Sequence, residues 1–297
     1  MTIIGAQPAR VQSRCQNRGM ELGRYGIWTT YRAIGEEDAG AAARLVEELG
    51  YGTVWLGGSP QLPALRPLLG ATERLVAATG ILNIWQSDPA QTAADYAALE
   101  QEFPGRVLLG IGIGHPEATS DYSRPFSAMR AFLDGLDGAQ TPVPRERRCL
   151  AAIGPRMLDA SAERSLGTHP YFVGVQHTRW ARERLGQGPL LAPELACVLD
   201  EDVEAARATG RNYARTYLGL SNYTRNLLTH GFTESDLADG GSDRLIDEVV
   251  PHGSPAEVAA AAQRHIDAGA DHVCLQTVGV RGVPGRQWEA LAGALGL

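Results

Sequence analysis

The sequence predicts a single (β/α)8 TIM barrel. Strand and helix patterns alternate from Gly23 onward through the 297-residue chain, eight strand segments can be counted, and no linker or internal repeat divides them. Parallel strands joined by crossover helices are what such alternation produces. A two-domain chain would need a break in composition between its halves, and none is present.

Residues 1–21 read as an N-terminal tail. Arg10, Arg14 and Arg18 occur there without a sustained apolar period, and the barrel is assigned to residues 22–297. Tyr25–Thr30 is the first strand candidate. Glu36, Glu37 and Asp38 then suit a helix N-terminus, and Ala42, Leu45, Val46 and Leu49 follow at i, i+3, i+4 and i+7 before Gly50 ends the helix. Thr53–Leu56 is the second strand. Further strands read at Leu75–Ile84, Arg106–Gly112, Cys149–Ile153, Pro170–Val175, Leu195–Leu199 and His272–Val278. Helical patterns lie between most of them, as at Ala90–Glu102 and Pro155–Ser165. The last crossover opens with Ser254, Pro255 and Glu257, an N-cap, a first-turn proline and a capping-box acid, and closes at Gly269. Glu201–Pro251 does not resolve into one unit, and Asn222–Gly241 reads as a helical or irregular insertion before the last strand.

Composition narrows the function. A formal charge of -7 offers no general attraction to nucleic acid or to an anionic membrane, so the expected partner is a small molecule, and an anionic one must meet a local cationic site. All 27 basic residues are arginines. Without lysine there is no internal Schiff base and no Walker A loop. Cys15, Cys149, Cys197 and Cys274 form no C-x-x-C pair, which fits reduced thiols and a cytoplasmic location. No apolar run approaches the roughly 20 residues of a membrane span. The seven histidines include no H-x-H and no H-E-x-x-H, so no metal site is expected.

A barrel of this kind builds its site at the C-terminal ends of its strands. Gly110, Gly112 and Gly114 alternate at the end of the fourth strand, either baring one face to a flat ligand or relieving crowding inside the barrel. The run is not a dinucleotide fingerprint, because His115 and Pro116 lead into a polar loop. Gly154-Pro155-Arg156-Met157 opens a helix after the fifth strand. Its free N–H groups and guanidinium suit a phosphate, although Gly-Pro is also an ordinary strand-to-helix turn. His115, His169 and His177 follow strands and are better placed for chemistry than His265 or His272.

The segments Leu150–Leu158, Ala162–Arg164, Gly167–Val173, His177-Thr178, Gly240–Leu245 and Gly269–Leu275 together resemble the luciferase-like monooxygenase superfamily, and more narrowly its actinobacterial F420-dependent branch. The resemblance covers residues 22–297. It implies a barrel with a bulged third strand and a non-prolyl cis peptide at Gly80-Ile81, both backing the cofactor ring. It also implies a phosphate site at Gly154, Pro155, Arg156 and Met157, and a homodimer. Gly112 and Gly114 would line the ring, and His115 would lie near cofactor or substrate as the catalytic candidate. Trp28, Ser59, Asn83, Trp85 and His177 would form the substrate pocket. One departure stands out: sugar-phosphate dehydrogenases of this superfamily carry an Asp-His pair after the second strand, where this chain has Gly57-Gly58-Ser59.

The expected activity is hydride transfer between coenzyme F420 and a small organic substrate, the carrier supplying the reactivity. An FMN-dependent monooxygenase and a non-catalytic flavin-binding barrel are the alternatives. The F420 tail, with several carboxylates, would need clustered arginines, and Arg179, Arg182 and Arg184 offer either that cluster or a solvated helix face.

Overall fold

The computed structural model describes residues 20–118 and 122–297. Its strands are β1 (Tyr25–Thr29), β2 (Thr53–Leu56), β3 (Val76–Thr79), β4 (Leu82–Asn83), β5 (Val107–Gly112), β6 (Arg148–Leu150), β7 (Gly167–Thr168), β8 (Leu190–Leu191), β9 (Glu194–Cys197) and β10 (Val273–Thr277). All pair in parallel, in the order β8-β7-β6-β5-β3-β2-β1-β10-β9, with β4 beside β5. The two ends of that ladder, β8 and β9, are separated in sequence only by Ala192 and Pro193. The Ala192 N–H donates to Thr168, and the Cys274 N–H donates to the Pro193 carbonyl. The ladder therefore curls into a barrel of eight staves, the third broken into β3 and β4 and the seventh into β8 and β9.

The helices are α1 (Tyr31–Ile34), α2 (Ala39–Glu48), α3 (Arg66–Gly70), α4 (Pro89–Glu102), α5 (Pro125–Asp137), α6 (Pro155–Arg164), α7 (Val175–Leu185), α8 (Val203–Leu218), α9 (Ser221–Thr229), α10 (Glu234–Leu237), α11 (Asp243–Val249), α12 (Pro255–Asp267) and α13 (Gly285–Leu295). The expected helix after Glu36 begins at Ala39, and its face is buried through Ala42, Ala43 and Val46. Ser254 and Glu257 form the capping box that their spacing predicts, each accepting from the other's backbone N–H. Four-residue α1 was not expected. Thr30 ends the first strand one residue early because its hydroxyl accepts the Ala33 N–H and caps that helix.

Two strand expectations need correction. The sixth stave is Gly167–Thr168 rather than Pro170–Val175, and Val175 instead opens α7 with its N–H held by Glu248 at 2.8 Å. The run Tyr171-Phe172-Val173 does not pair in the sheet: Phe172 and Val173 are buried, and Tyr171 and Phe172 pack beneath the insertion. The fifth stave ends at Leu150, three residues before Ile153, since the chain turns there to reach α6.

Glu201–Pro251, unplaced from sequence, folds as α8 to α11. Ala206, Ala214, Leu227, Leu245 and Ile246 pack with Phe172 and Ala196 over the barrel mouth. Arg207 ties the outer side together, bonded to Asp243 at 2.9 Å and Asp247 at 2.7 Å. Inside the staves lie Trp28, Trp55, Val76, Ala78, Leu108, Cys149 and Cys274, with Met20 and Leu22 packed against the same cluster. The outer face packs on the helices through Ile27, Val54, Leu56 and Leu109. No helix among the described residues is long and apolar enough to cross a membrane.

Candidate functional site

A cavity of about 1000 Å³ opens at the C-terminal ends of the staves. One wall is the break in the third stave, where the Gly80-Ile81 peptide is cis, as the resemblance implied. Gly112, Gly114, Ile113 and Ala151 continue that wall, and Gly154, Pro155, Arg156 and Met157 bound it at the start of α6. The eight residues expected to bind a cofactor therefore line one space. Their glycines differ in what they permit. A Cβ on Gly112 would lie 2.5 Å from the Ile81 side chain, so a larger residue would displace the wall, whereas one on Gly154 would meet nothing within 4 Å. Gly110 lies outside the cavity lining. Its carbonyl accepts the Thr79 hydroxyl at 2.7 Å, and a Cβ there would strike the Thr79 carbonyl, so this glycine relieves crowding in the barrel.

Gly57 accounts for the departure after β2. The Trp28 indole lies across it so closely that a Cβ would fall 2.1 Å from the ring, which leaves no room for a side chain at this position. Gly58 and Ser59 both turn with positive φ and line the cavity. Trp28 lines it too, and its Nε1–H is buried without a partner among the described residues. Such a donor normally has an acceptor, so the cavity beside Gly80 is chemically incomplete without a ligand or water.

His115 lines the cavity, and its Nδ1–H donates to the Asn222 side-chain oxygen of α9 at 3.0 Å. Burial lowers its pKa, opposed by the Asn222 bond and the nearby Glu117 carboxylate. The ring is thus neutral at pH 7, with Nε2 its accepting nitrogen. His169 is arranged alike. Its Nδ1–H donates to the Ala192 carbonyl at 2.7 Å, the ring stacks on Trp55 at 4.1 Å, and Nε2 is left buried without a partner. Burial pulls its pKa down to about 4.

Of the expected substrate residues, Trp28, Ser59 and Asn83 line the cavity and Trp85 and His177 do not. The Trp85 indole turns toward the loop after β5, where its N–H finds the Ile113 carbonyl at 2.7 Å. His177 is fully buried in α7, bonded through Nε2 to the Ile153 carbonyl at 3.1 Å. It borders a separate space of about 180 Å³ next to Asn226 and His230. The insertion supplies walls that no motif announced, including Tyr217, Asn222, Tyr223 and Arg225. Their signal is at best the tyrosine spacing on α8 and α9, which also fits plain core packing.

Of the two readings of the α7 arginines, the contacts favour a helix face over a cationic cluster. Arg182 is committed to Asp271 at 2.6 Å and Arg184 to Asp159 at 2.6 Å, while Arg179 holds Gln176, so these side chains brace α7. Two other arginines line the cavity instead. Arg156 lies over the Phe126 ring at 4.3 Å, and neither Arg156 nor Arg225 forms an ion pair among the described residues.

A (β/α)8 barrel whose strand ends frame a deep, mostly apolar pocket with a few convergent polar groups is a class of enzyme that builds its site on βα loops. The chain belongs to the luciferase-like monooxygenase family, whose sequence model matches residues 22–272. Membership makes it a redox enzyme. It is 23% identical over 286 residues to a 5,10-methylenetetrahydromethanopterin reductase of Methanolobus tindarius, an alignment covering 78% of this chain and 87% of that protein. Among solved structures it is similar to an F420-dependent secondary alcohol dehydrogenase in complex with an F420-acetone adduct. That match has a TM-score of 0.72 and 14% identity, and covers 91% of this chain and 97% of the other. It is also similar to the oxygenating constituent of 3,6-diketocamphane monooxygenase from Pseudomonas putida in complex with FMN. There the TM-score is 0.66 and the identity 14%, with 91% and 95% covered. F420-dependent and FMN-binding proteins thus share this fold.

Proposed function

We propose that this protein transfers a hydride between coenzyme F420 and a small organic substrate. The observation that carries the reading is the pair Arg156 and Arg225, two arginines on one cavity that form no ion pair among the described residues, in a chain of net charge -7. FMN ends at its phosphate, which the α6 N-terminus and Arg156 alone would satisfy. F420 continues into a carboxylate-rich tail, and a second cation at the cavity is suited to that tail. The tricyclic ring would rest against Gly80, Ile81 and Gly112, with the Trp28 N–H, which has no partner among the described residues, available to one of its polar atoms. Bound there, F420 would supply the hydride. The chain positions the substrate and moves its proton. His115 would accept a hydrogen bond from the substrate side. The same reading includes a cytoplasmic homodimer.

Turnover tests the reading. Reduced F420, mixed anaerobically with a panel of ketones, aldehydes and enones, is expected to be reoxidised by at least one member, followed through the absorbance of the oxidised carrier. Oxygen uptake with reduced FMN, and no reaction of reduced F420 with any of the panel, would assign the protein to the monooxygenase reading instead.

A further inference from the structure

Glu194 lies inside the barrel, fully buried, on β9. A carboxyl in such a place is costly unless it is paired or protonated, and no cation bonds to it among the described residues. What surrounds it is a chain of hydroxyls. The Tyr213 oxygen stands 3.5 Å from Glu194 Oε1 and 2.8 Å from the Tyr171 oxygen, which is 2.9 Å from the Tyr217 oxygen. Gln276 pins the middle of the chain, its Oε1 accepting from Tyr171 at 2.7 Å and approached by Tyr213 at 3.3 Å. At the far end, Tyr171 and Tyr217 line the cavity. A buried acid is thereby joined to the proposed reaction space.

We propose that Glu194, Tyr213, Tyr171 and Tyr217 form a proton relay, with Glu194 as the buried reservoir and Tyr217 or Tyr171 as the group that exchanges a proton with the oxygen of a carbonyl or alcohol substrate. The inference rests on the hydride-transfer reading of the same cavity. In the reducing direction a hydride adds to the carbonyl carbon and the C=O π pair moves to oxygen. A new O–H bond forms there with the Tyr217 proton. Tyr217 regains a proton from Tyr171, Tyr171 from Tyr213, and Tyr213 from Glu194, which ends as a carboxylate. Protonation from water after product release restores it. Oxidation of an alcohol runs the same bonds in reverse, with the oxidised carrier taking the hydride.

Two further observations favour this assignment. His115 and His169 each spend their N–H on an oxygen acceptor, so at neutral pH both offer the cavity only an accepting nitrogen. They cannot supply the proton a reduction consumes. Burial also raises the Glu194 pKa to about 8, only partly offset by the Phe172 N–H and the Tyr213 hydroxyl, so the reservoir is loaded at pH 7. The titratable groups facing it are Tyr171, Tyr213, Tyr217 and Tyr223, from the loop after β7 and from α8 and α9, with Cys197 and Cys274 from β9 and β10. Burial raises the pKa of each of these, so all remain neutral while Glu194 titrates.

The test has one arm without cofactor and one with it. Infrared difference spectra of the cofactor-free full chain are expected to show a protonated-carboxyl band that titrates near pH 8. It should be absent in Glu194→Gln and shifted in midpoint in Tyr213→Phe. A missing band at pH 6, or a midpoint indifferent to Tyr213→Phe, overturns the relay. In turnover, Tyr217→Phe combined with Tyr171→Phe is expected to lower kcat about 100-fold while KM and cofactor affinity hold. Glu194→Gln should remove the alkaline limb of the kcat profile near pH 8. An unaltered profile in Glu194→Gln also overturns the relay. Wild-type protein inert toward every carrier would sink the hydride-transfer reading alone, and the infrared arm would still decide the relay.

Discussion

Replacing Arg156 by alanine is expected to raise the dissociation constant for a phosphorylated cofactor by about 10- to 100-fold, the worth of roughly 1.5 to 3 kcal/mol for a hydrogen bond to a charged group. The geometry makes this side chain separable from stability. Arg156 is exposed in the first turn of α6, where Pro155 has no N–H to give and the Arg156 and Met157 amides precede the first helical bonds. Among the described residues its guanidinium lies over the Phe126 face and makes no ion pair, so its loss removes little from the folded chain. Gly154→Val is the companion variant. Its φ of -97° and ψ of 157° suit any residue, and a Cβ there meets nothing within 4 Å. Affinity lost in Gly154→Val without a change in unfolding midpoint would report a ligand seated on that turn. Unchanged affinity in both variants would move the phosphate elsewhere.

Stability should fall steeply on acidification. Burial holds His169, His265 and His272 at pKa values of about 4 and His177 at about 3, all below the 6.5 of an unfolded histidine. Between pH 6.5 and 4 the unfolded chain binds protons that the native chain refuses, so the native state is favoured above that window and loses ground as pH falls through it. Each histidine contributes about 1.4 kcal/mol per pH unit while it differs between the two states, and four together approach the whole stability of an ordinary domain within about two units. Glu194 acts with the opposite sign. Its folded pKa of about 8 exceeds the unfolded value of 4.5, so it favours the native state at low pH and withdraws that support as pH rises toward 8. One such group opposes four histidines below pH 6.5 and acts against stability alone above it. Urea midpoints are expected to peak near neutrality and drop sharply below pH 6. A flat profile from pH 7 to 4.5 would mean that the histidines are hydrated or charged in the folded protein.

The barrel was legible where local chemistry and long-range packing agree. Thr53–Leu56 is bounded by Gly52 and Gly57 and buried on both faces, and the strand forms where its pattern places it. Ser254 and Glu257 cap α12 through bonds spanning three residues, which spacing alone can specify. Tyr171–Val173 shows where pattern reading stops: an apolar run under a helical insertion is as buried as one in a sheet. That the residues expected on the cofactor side would share one cavity was legible because glycine and proline mark backbone turns whatever lies opposite. Trp85 turns away from the cavity because its N–H is held by the Ile113 carbonyl, 28 residues away, which no local pattern records. Arg225 and the relay residues were illegible for a related reason. Glu194 and Tyr213 meet only because β9 and α8 are packed together, and nothing local to either residue records it.

Equilibrium titration with the two oxidised carriers is the most direct measurement of the central claim. F420 is expected to bind in the micromolar range and to weaken as salt screens its tail, with Arg225→Ala reducing that salt dependence while leaving FMN affinity unchanged. Tight FMN binding with no measurable affinity for F420 would contradict the account.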